Sequence, residues 1–376
     1  MMRDYLKTYQ IKLKVIGPLF IGSGNSINKK EYILDRDKNK VYIPNINKMY
    51  TWFFKNNFQD KFDDYMLSEK SVDFMTWLGI NKISPNVWKE WTDYILDCSE
   101  TSDIIKGKET EISTFIKDSF GDVYIPGSSL KGALRTIILG NEILKNNSNF
   151  NKYKSDVQKA EFKYKSSYLK DEIEGIEQSV FNKAEKDKKR IDNMVNDIMA
   201  GIRISDSRPI STDNLILCRK IDETPKGNIN KVKLLRECIK PDTEIIFDMT
   251  VDTTIFKENN IKHYIMEAIN TFGKNYMKCF NNKFKSGDKL DGTMFYMGGG
   301  SGFVSKTITY PLLGENAVKT VSEIIDKTLS KKNKDNHKHK EDFLMGVSPH
   351  MIKKTKYNKK IYSFGLCSID IVEVNI

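Results

Sequence analysis

Residues 124–135 read YIPGSSLKGALR. A proline and a glycine followed by two serines mark a helix start. Ser128 or Ser129 is placed to cap a helix opening at Leu130. A helix N-terminus offers free N–H groups and the positive end of a dipole, which suits a phosphate. Lys131 and Arg135 are four apart and share one face. From these residues alone, an ordinary capped helix with two exposed basic side chains reads equally well. The phrase before it is an echo: residues 123–127 (VYIPG) repeat residues 41–45 (VYIPN). A strand, a proline and a capped helix are thus expected twice.

Outward from these two points the chain alternates between strand and helix signals. Residues 9–20 (YQIKLKVIGPLF) alternate apolar and polar, as a half-buried strand does. A tight loop at 21–25 (IGSGN) follows, containing Gly22, Ser23 and Gly24. Residues 32–34 and 41–43 read as a hairpin. Asn45 is placed to cap a helix whose Ile46, Met49, Tyr50 and Phe53 share one face. Residues 58–118 have helical spacing, and Trp77, Trp88 and Trp91 read as local core. Residues 145–198 carry near-balanced charges and few large apolar side chains, which predicts a solvated insertion, helical or partly disordered, rather than an RNA patch. Strand character returns at 201–207 (GIRISDS) and 215–220. Residues 234–251 read as a hairpin turned by Lys240-Pro241-Asp242. Residues 261–280 form an amphipathic helix with Ile261, Ile265, Ala268, Ile269 and Phe272 inward. A short strand at 293–296 leads into a glycine run, and residues 363–374 close the chain as a strand. Without regular βα alternation, an α+β fold with antiparallel sheets fits.

Composition narrows the function. The 376 residues carry a net charge of +11, which favours polyanionic partners. No run of 18 apolar residues indicates a membrane span. The N-terminus lacks a secretion signal's apolar stretch, so a cytoplasmic location is expected. The five cysteines are scattered, outside any CxxC pair, and read as buried hydrophobes rather than zinc ligands or disulfides.

Three segments could carry chemistry. The first is the helix start at 125–135. The second is the glycine run, residues 297–303 (MGGGSGF), with Gly298, Gly299, Gly300, Ser301 and Gly302, and Lys306 just beyond. Its glycines are expected to supply backbone freedom rather than packing, either as a nest for phosphate or a splayed nucleotide or as a flexible loop. The run is neither a dinucleotide nor an NTP motif, so no nucleotide cofactor is expected. The third is 343–369, where Lys353, Lys354, Lys356, Lys359 and Lys360 are interleaved with Tyr357, Tyr362 and Phe364 and no acid, which suits phosphate contact with base stacking and equally a solvated lysine face. A smaller cluster, Lys274, Lys278, Lys283, Lys285 and Lys289, reads as a solvated face. Catalytic signals are thin. His263 has no partner at metal spacing, and His337 and His339 sit in a lysine-rich loop. His350 could serve as a ribonuclease general base. Asp206 reads as a cap or turn residue rather than a metal ligand. No catalytic set and no metal site is expected.

Taken together, residues 15–24, 124–135, 201–207 and 298–306 resemble the RAMP superfamily of CRISPR systems. Residues 235–241 (LRECIKP) and 364–371 (FGLCSIDI) resemble its fifth-subunit family in type III-A (Csm) effector complexes. The resemblance implies two modified ferredoxin-like (RRM/RAMP-type) domains, here 1–207 and 208–376. Helical insertions would fall at about 58–118 and 145–198. It implies a non-catalytic subunit that grips guide RNA (crRNA) through its glycine loops. Such a subunit caps the 3′-end side of the complex beside RAMP backbone subunits and supports crRNA maturation through recruited host nucleases. The RNA-contacting residues implied are Gly22, Ser23, Gly24, Ser128, Ser129, Lys131, Arg135, Gly298, Gly299, Gly300, Ser301, Gly302, Lys306, Lys353, Lys354 and Lys356. The chain departs from RRM proteins in lacking their stacking aromatics, which favours backbone contact. The competing readings are a metal-independent RAMP endoribonuclease using His350, and a scaffold whose lysines recruit acidic protein partners.

Overall fold

The computed structural model describes residues 5–69, 72–101, 111–162, 164–165, 167–329 and 338–374. Strand β1 (Leu6–Val15) sets the main sheet. Its alternating Tyr9, Ile11, Leu13 and Val15 are buried, as the period of two demands. It lies antiparallel between β10 (Glu244–Asp252) and β14 (Leu366–Val374), with Ile11 opposite both Phe247 and Ile371. β7 (Ile202–Ile204) and β11 (Met294–Tyr296) complete the order β11-β14-β1-β10-β7. This sheet therefore takes strands from both sides of residue 207. Helices α5 (Gly127–Lys145) and α8 (Ile261–Cys279) pack against each other. All five expected apolar residues of α8 are buried.

A second sheet has the order β13-β12-β8-β9-β6-β2. Its strands are β2 (Gly22–Ile27), β6 (Ile112–Phe115), β8 (Leu215–Glu223), β9 (Ile229–Ile239), β12 (Ile352–Tyr357) and β13 (Lys360–Ser363). β6 and β9 run parallel, and the other neighbours run antiparallel. A third sheet, β3-β4-β5, joins β3 (Ile33–Asp35), β4 (Lys40–Pro44) and β5 (Thr92–Asp97). The helices around it are α1 (Ile46–Lys55), α2 (Gln59–Leu67), α3 (Phe74–Ile80) and α4 (Pro85–Glu90). Phe53, Phe62, Phe74, Trp77, Trp88 and Trp91 form its own aromatic core. The tryptophans are core residues, as expected. Asn45 caps α1 through the Lys48 N–H, but Ile46 and Tyr50 on the expected inner face are exposed.

Four expectations need correction. Residues 234–251 are not a hairpin: β9 lies in the second sheet and β10 in the first, and the two are not hydrogen-bonded neighbours. The turn at Pro241 and Asp242 carries the chain from one sheet to the other. The true hairpin is β8–β9. Residues 21–25 are not a free loop, because Gly22–Ile27 pairs with β6 as an edge strand. Backbone hydrogen bonds suffice there despite poor strand formers. The 58–118 stretch is helical only in part: Thr92–Asp97 buries Tyr94 and Leu96 with strand period. Finally, residues 145–198 do form helices, α6 (Asn151–Lys159) and α7 (Lys170–Phe181). Yet Val157, Ile176, Val180 and Phe181 pack into the main core.

The second and third sheets are joined by a buried carboxylate. Glu237 on β9 is fully buried and accepts from Tyr94 Oη (2.6 Å), the Phe115 N–H (2.9 Å) and Lys117 Nζ (2.7 Å). A buried charge persists only when so satisfied.

Candidate nucleic-acid interface

The sequence placed the start of the long helix at a serine cap. The structure starts α5 at Gly127, with Pro126 before it and no side-chain cap from its own end. The cap comes from 79 residues away: Asp206 Oδ1 accepts the Gly127 N–H at 2.8 Å. Ser207 fastens the same junction, its Oγ accepting the Ile125 N–H at 2.9 Å. Asp206 thus has the capping role expected of it. A carboxylate already occupies the positive end of this helix, where a phosphate was expected.

Lys131 and Arg135 do share a face, but it points inward. Lys131 Nζ donates to the Ile202 carbonyl at 2.7 Å. Arg135 donates to Glu177 (2.8 Å) and Asp197 (2.7 Å), with its guanidinium 4.2 Å from the Phe181 ring centroid. Burial opposes its charge, but the two carboxylates outweigh that and raise its pKa above the usual value. Burial lowers the pKa of Lys131. The outward face of α5 is instead Ser129, Gly132, Ala133 and Thr136. These line a cleft of about 330 Å³ together with Ile21, Gly22, Gly298, Gly299 and Lys306. Three motifs separated by more than 100 residues thus meet at one surface. Ser128 is exposed beside this helix start. Ser23 is turned toward β6, hydrogen-bonded to Thr114 Oγ1 at 2.6 Å, and Gly24 ends in open space at φ +88°.

The glycine run is a packed turn, contrary to the expectation that its glycines serve freedom alone. The Gly299 N–H donates to the Phe20 carbonyl at 2.7 Å. A Cβ on Gly298 (φ +77°) would meet that same carbonyl oxygen at 2.5 Å. A Cβ on Gly300 (φ +92°) would meet Arg236 Nη1 at 2.5 Å. Only glycine takes both the left-handed backbone and this approach without strain. Ser301 Oγ donates to the Gly298 carbonyl at 3.0 Å, and Ser305 Oγ to the Ser301 carbonyl at 2.9 Å. Gly302 (φ +98°) faces open space.

The residue the sequence did not single out for contact is Arg236. It is half-buried, 4.8 Å from the Phe20 centroid and 5.9 Å from that of Phe364. Its Nε and Nη1 are buried without a hydrogen-bond partner among the described residues. Burial lowers its pKa. Lys306 is lowered too, by burial first and by the charge of Arg236 second. Two cations are therefore held near each other without a carboxylate partner among the described residues. An anion between them would relieve both the desolvation and the repulsion.

The lysine-rich tail differs. β12 is an inner strand, and its lysines meet acids from elsewhere. Lys353 Nζ lies 2.9 Å from Asp222, and Lys354 Nζ 2.9 Å from the Ser286 carbonyl and 3.5 Å from Asp288. Lys356 Nζ lies 2.8 Å from Glu100. An acid-free stretch of sequence is not an acid-free surface.

The histidines also converge in a way the sequence reading missed. His350 Nδ1 and His339 Nδ1 lie 2.5 and 3.0 Å from the two oxygens of Asp342. Ser348 Oγ donates to Asp342 at 2.6 Å. All four residues are buried. His337 lies outside the described residues. Spacing gave no hint because the contacts join residues three, six and eight apart through an irregular turn. The five cysteines are free and buried, as expected.

The RAMP superfamily model matches residues 12–339. The CRISPR system Cms protein Csm5 of Mycobacterium tuberculosis is 25% identical, over 98% of this chain and 99% of its own length. Those of Streptococcus thermophilus (28%, covering 82% of each chain) and Enterococcus italicus (29%, covering 81% and 80%) are also similar. Among solved structures, a chain of a Csm-crRNA-target RNA ternary complex of a type III-A CRISPR-Cas system superposes with a TM-score of 0.62. It is 19% identical over 96% of this chain and 100% of that one. A crystal structure of T. onnurineus Csm5 gives 0.57 at 18% identity, over 95% and 99%. These two show the shared mixed fold with antiparallel sheets.

Proposed function

Because this chain belongs to the RAMP superfamily, we propose that it is a guide-RNA-binding subunit of a type III-A CRISPR ribonucleoprotein. The observation that carries this reading is the cleft where Gly22, Ser129, Gly298, Gly299 and Lys306 meet. Arg236, under the same glycine run, adds a cation with buried, unpartnered nitrogens. Two cations without a carboxylate partner among the described residues, beside small side chains, suit an RNA backbone passing close to the main chain. The subunit sits on the 3′-end side of the guide, against RAMP backbone subunits. It supports maturation of the guide by nucleases it recruits, in the cytoplasm. Among the described residues no helix is long and apolar enough to cross a membrane.

The subunit holds the guide without cutting it. The ribonuclease reading needs an imidazole within reach of a ribose hydroxyl. The His350 ring is buried and turned to Asp342, which favours binding over cleavage.

The test is anisotropy of labelled guide RNA against the assembled complex across a salt series. Arg236→Gln with Lys306→Gln is expected to weaken binding by about 10-fold, with the log–log salt slope shallower by roughly 1.4. Unchanged affinity and slope in a normally assembled complex would remove the cleft from the RNA surface. Cleavage of guide precursor by the purified wild type, lost in His350→Ala, would instead favour the nuclease.

A further inference from the structure

We propose that His339, Asp342 and His350 form a binding site for one divalent transition-metal ion of the zinc class. One ligand atom from each lies within 4.8 Å of the others. The residues come from different local pieces: the turn His339–Glu341, the first residue of α11 (Asp342–Met345), and the loop before β12. Asp342 is fully buried, and both histidines are 8% exposed. Two imidazole nitrogens with one carboxylate oxygen suit zinc or its neighbours. Magnesium and calcium prefer oxygen-only shells.

The surroundings are built as those of a metal site are. Ligating carboxylates and histidine segments are normally held by further hydrogen bonds. Here Ser348 Oγ donates to Asp342. Tyr310 Oη, on α9 (Thr309–Leu313), donates to the Ser348 carbonyl at 2.7 Å. Ser322 Oγ, on α10 (Ala317–Thr328), donates to the His339 carbonyl at 2.6 Å. Three protein ligands leave a position for water or the nearby Ser348 hydroxyl. The ion's role is structural. It closes the segment from His339 to His350 on itself, while the Ser322 hydrogen bond holds that segment to α10. The residues flanking His350, Pro349 and Met351, line a small cavity with Ser301, Gly302, Phe303 and Val304. The segment that the metal closes therefore adjoins the C-terminal end of the glycine run.

The same three side chains could be joined by hydrogen bonds alone, and the experiment separates the two. Full-length protein is stripped with chelator and titrated with Co²⁺ as the probe, followed by visible d–d absorption. The expected result is one Co²⁺ per chain with the intense bands of a four- or five-coordinate site, displaced by Zn²⁺. His350→Ala is expected to weaken Co²⁺ binding by on the order of 100-fold. Where that variant fails to fold, His339→Gln is read the same way. The wild-type titration depends on neither variant. Absence of saturable Co²⁺ absorption in the stripped wild type overturns the proposal in favour of a hydrogen-bonded cluster. So does Co²⁺ binding that is unchanged in a folded variant.

Discussion

Arg135 and Arg236 make a closely matched pair that differs in one respect. Each is half-buried, and each lies over a phenylalanine, at 4.2 and 4.8 Å from the ring centroid. Arg135 has Glu177 and Asp197 within salt-bridge distance. Arg236 has buried nitrogens without partners among the described residues. The same side chain in similar burial is stabilised in one place and left with unmet hydrogen-bonding capacity in the other. A structural arginine is satisfied by the protein. On the function proposed above, Arg236 is satisfied by the RNA that arrives. Sequence motifs direct attention to Arg135, whereas the acids around each residue direct it to Arg236.

The largest way to break this contrast is Arg135→Ala. It would strand Glu177 and Asp197 beside an apolar ring. We expect a loss of about 1–3 kcal/mol of stability, since one partner of a partly buried network is removed. Guide affinity of the folded fraction should stay within about twofold. Chemical denaturation and anisotropy on the same preparation check both halves. A large affinity loss without a stability loss would reverse the roles of the two arginines.

Gly300→Val sharpens the other half. The new side chain must hold φ near +92° and displace the Arg236 guanidinium. Left-handed strain at a non-glycine residue costs about 1–3 kcal/mol. The denaturation midpoint should fall, and RNA affinity should fall at least as far as in Arg236→Gln. Gly302→Val is the control, because φ is +98° but nothing lies within 4 Å of its Cβ. It should share the stability loss and keep more of the affinity. Equal affinity losses in both would mean that loop conformation, rather than Arg236, governs binding.

Local patterns were legible in the sequence wherever one element decides its own state. The apolar periods of β1 and α8 and the Asn45 cap needed only neighbours two to four residues away. What was not legible depends on distant partners. The α5 cap comes from Asp206, the acids on Arg135 lie 42 and 62 residues on, and β9 turns from its expected partner β10 to β8 and β6. The glycine run was located by its composition. Its reason for being glycine, contact with Phe20 and Arg236, could not be read without the fold. The His339–Asp342–His350 cluster was hidden for the same reason, since an irregular turn has no period to detect.

The smallest expected effect is also the strictest check on reading charge from sequence. Lys356 belongs to the most basic stretch of the chain, yet its ammonium lies 2.8 Å from Glu100. Both groups retain solvent contact, with side-chain exposures of 44% and 16%. The pair should therefore contribute no more than about 0.5–1 kcal/mol. Lys356→Gln is expected to lower stability by that little and leave RNA affinity unchanged. The Glu100 carboxylate, whose pKa is lowered by Lys356 and the Lys359 N–H against the opposing effect of burial, should return toward its ordinary value. Carboxyl-carbon chemical shifts through a pH titration would follow that change. Should Lys356→Gln instead reduce affinity and flatten the salt slope as Lys306→Gln does, the ion pair opens when RNA arrives. The division between committed and available cations would then belong to the free subunit alone.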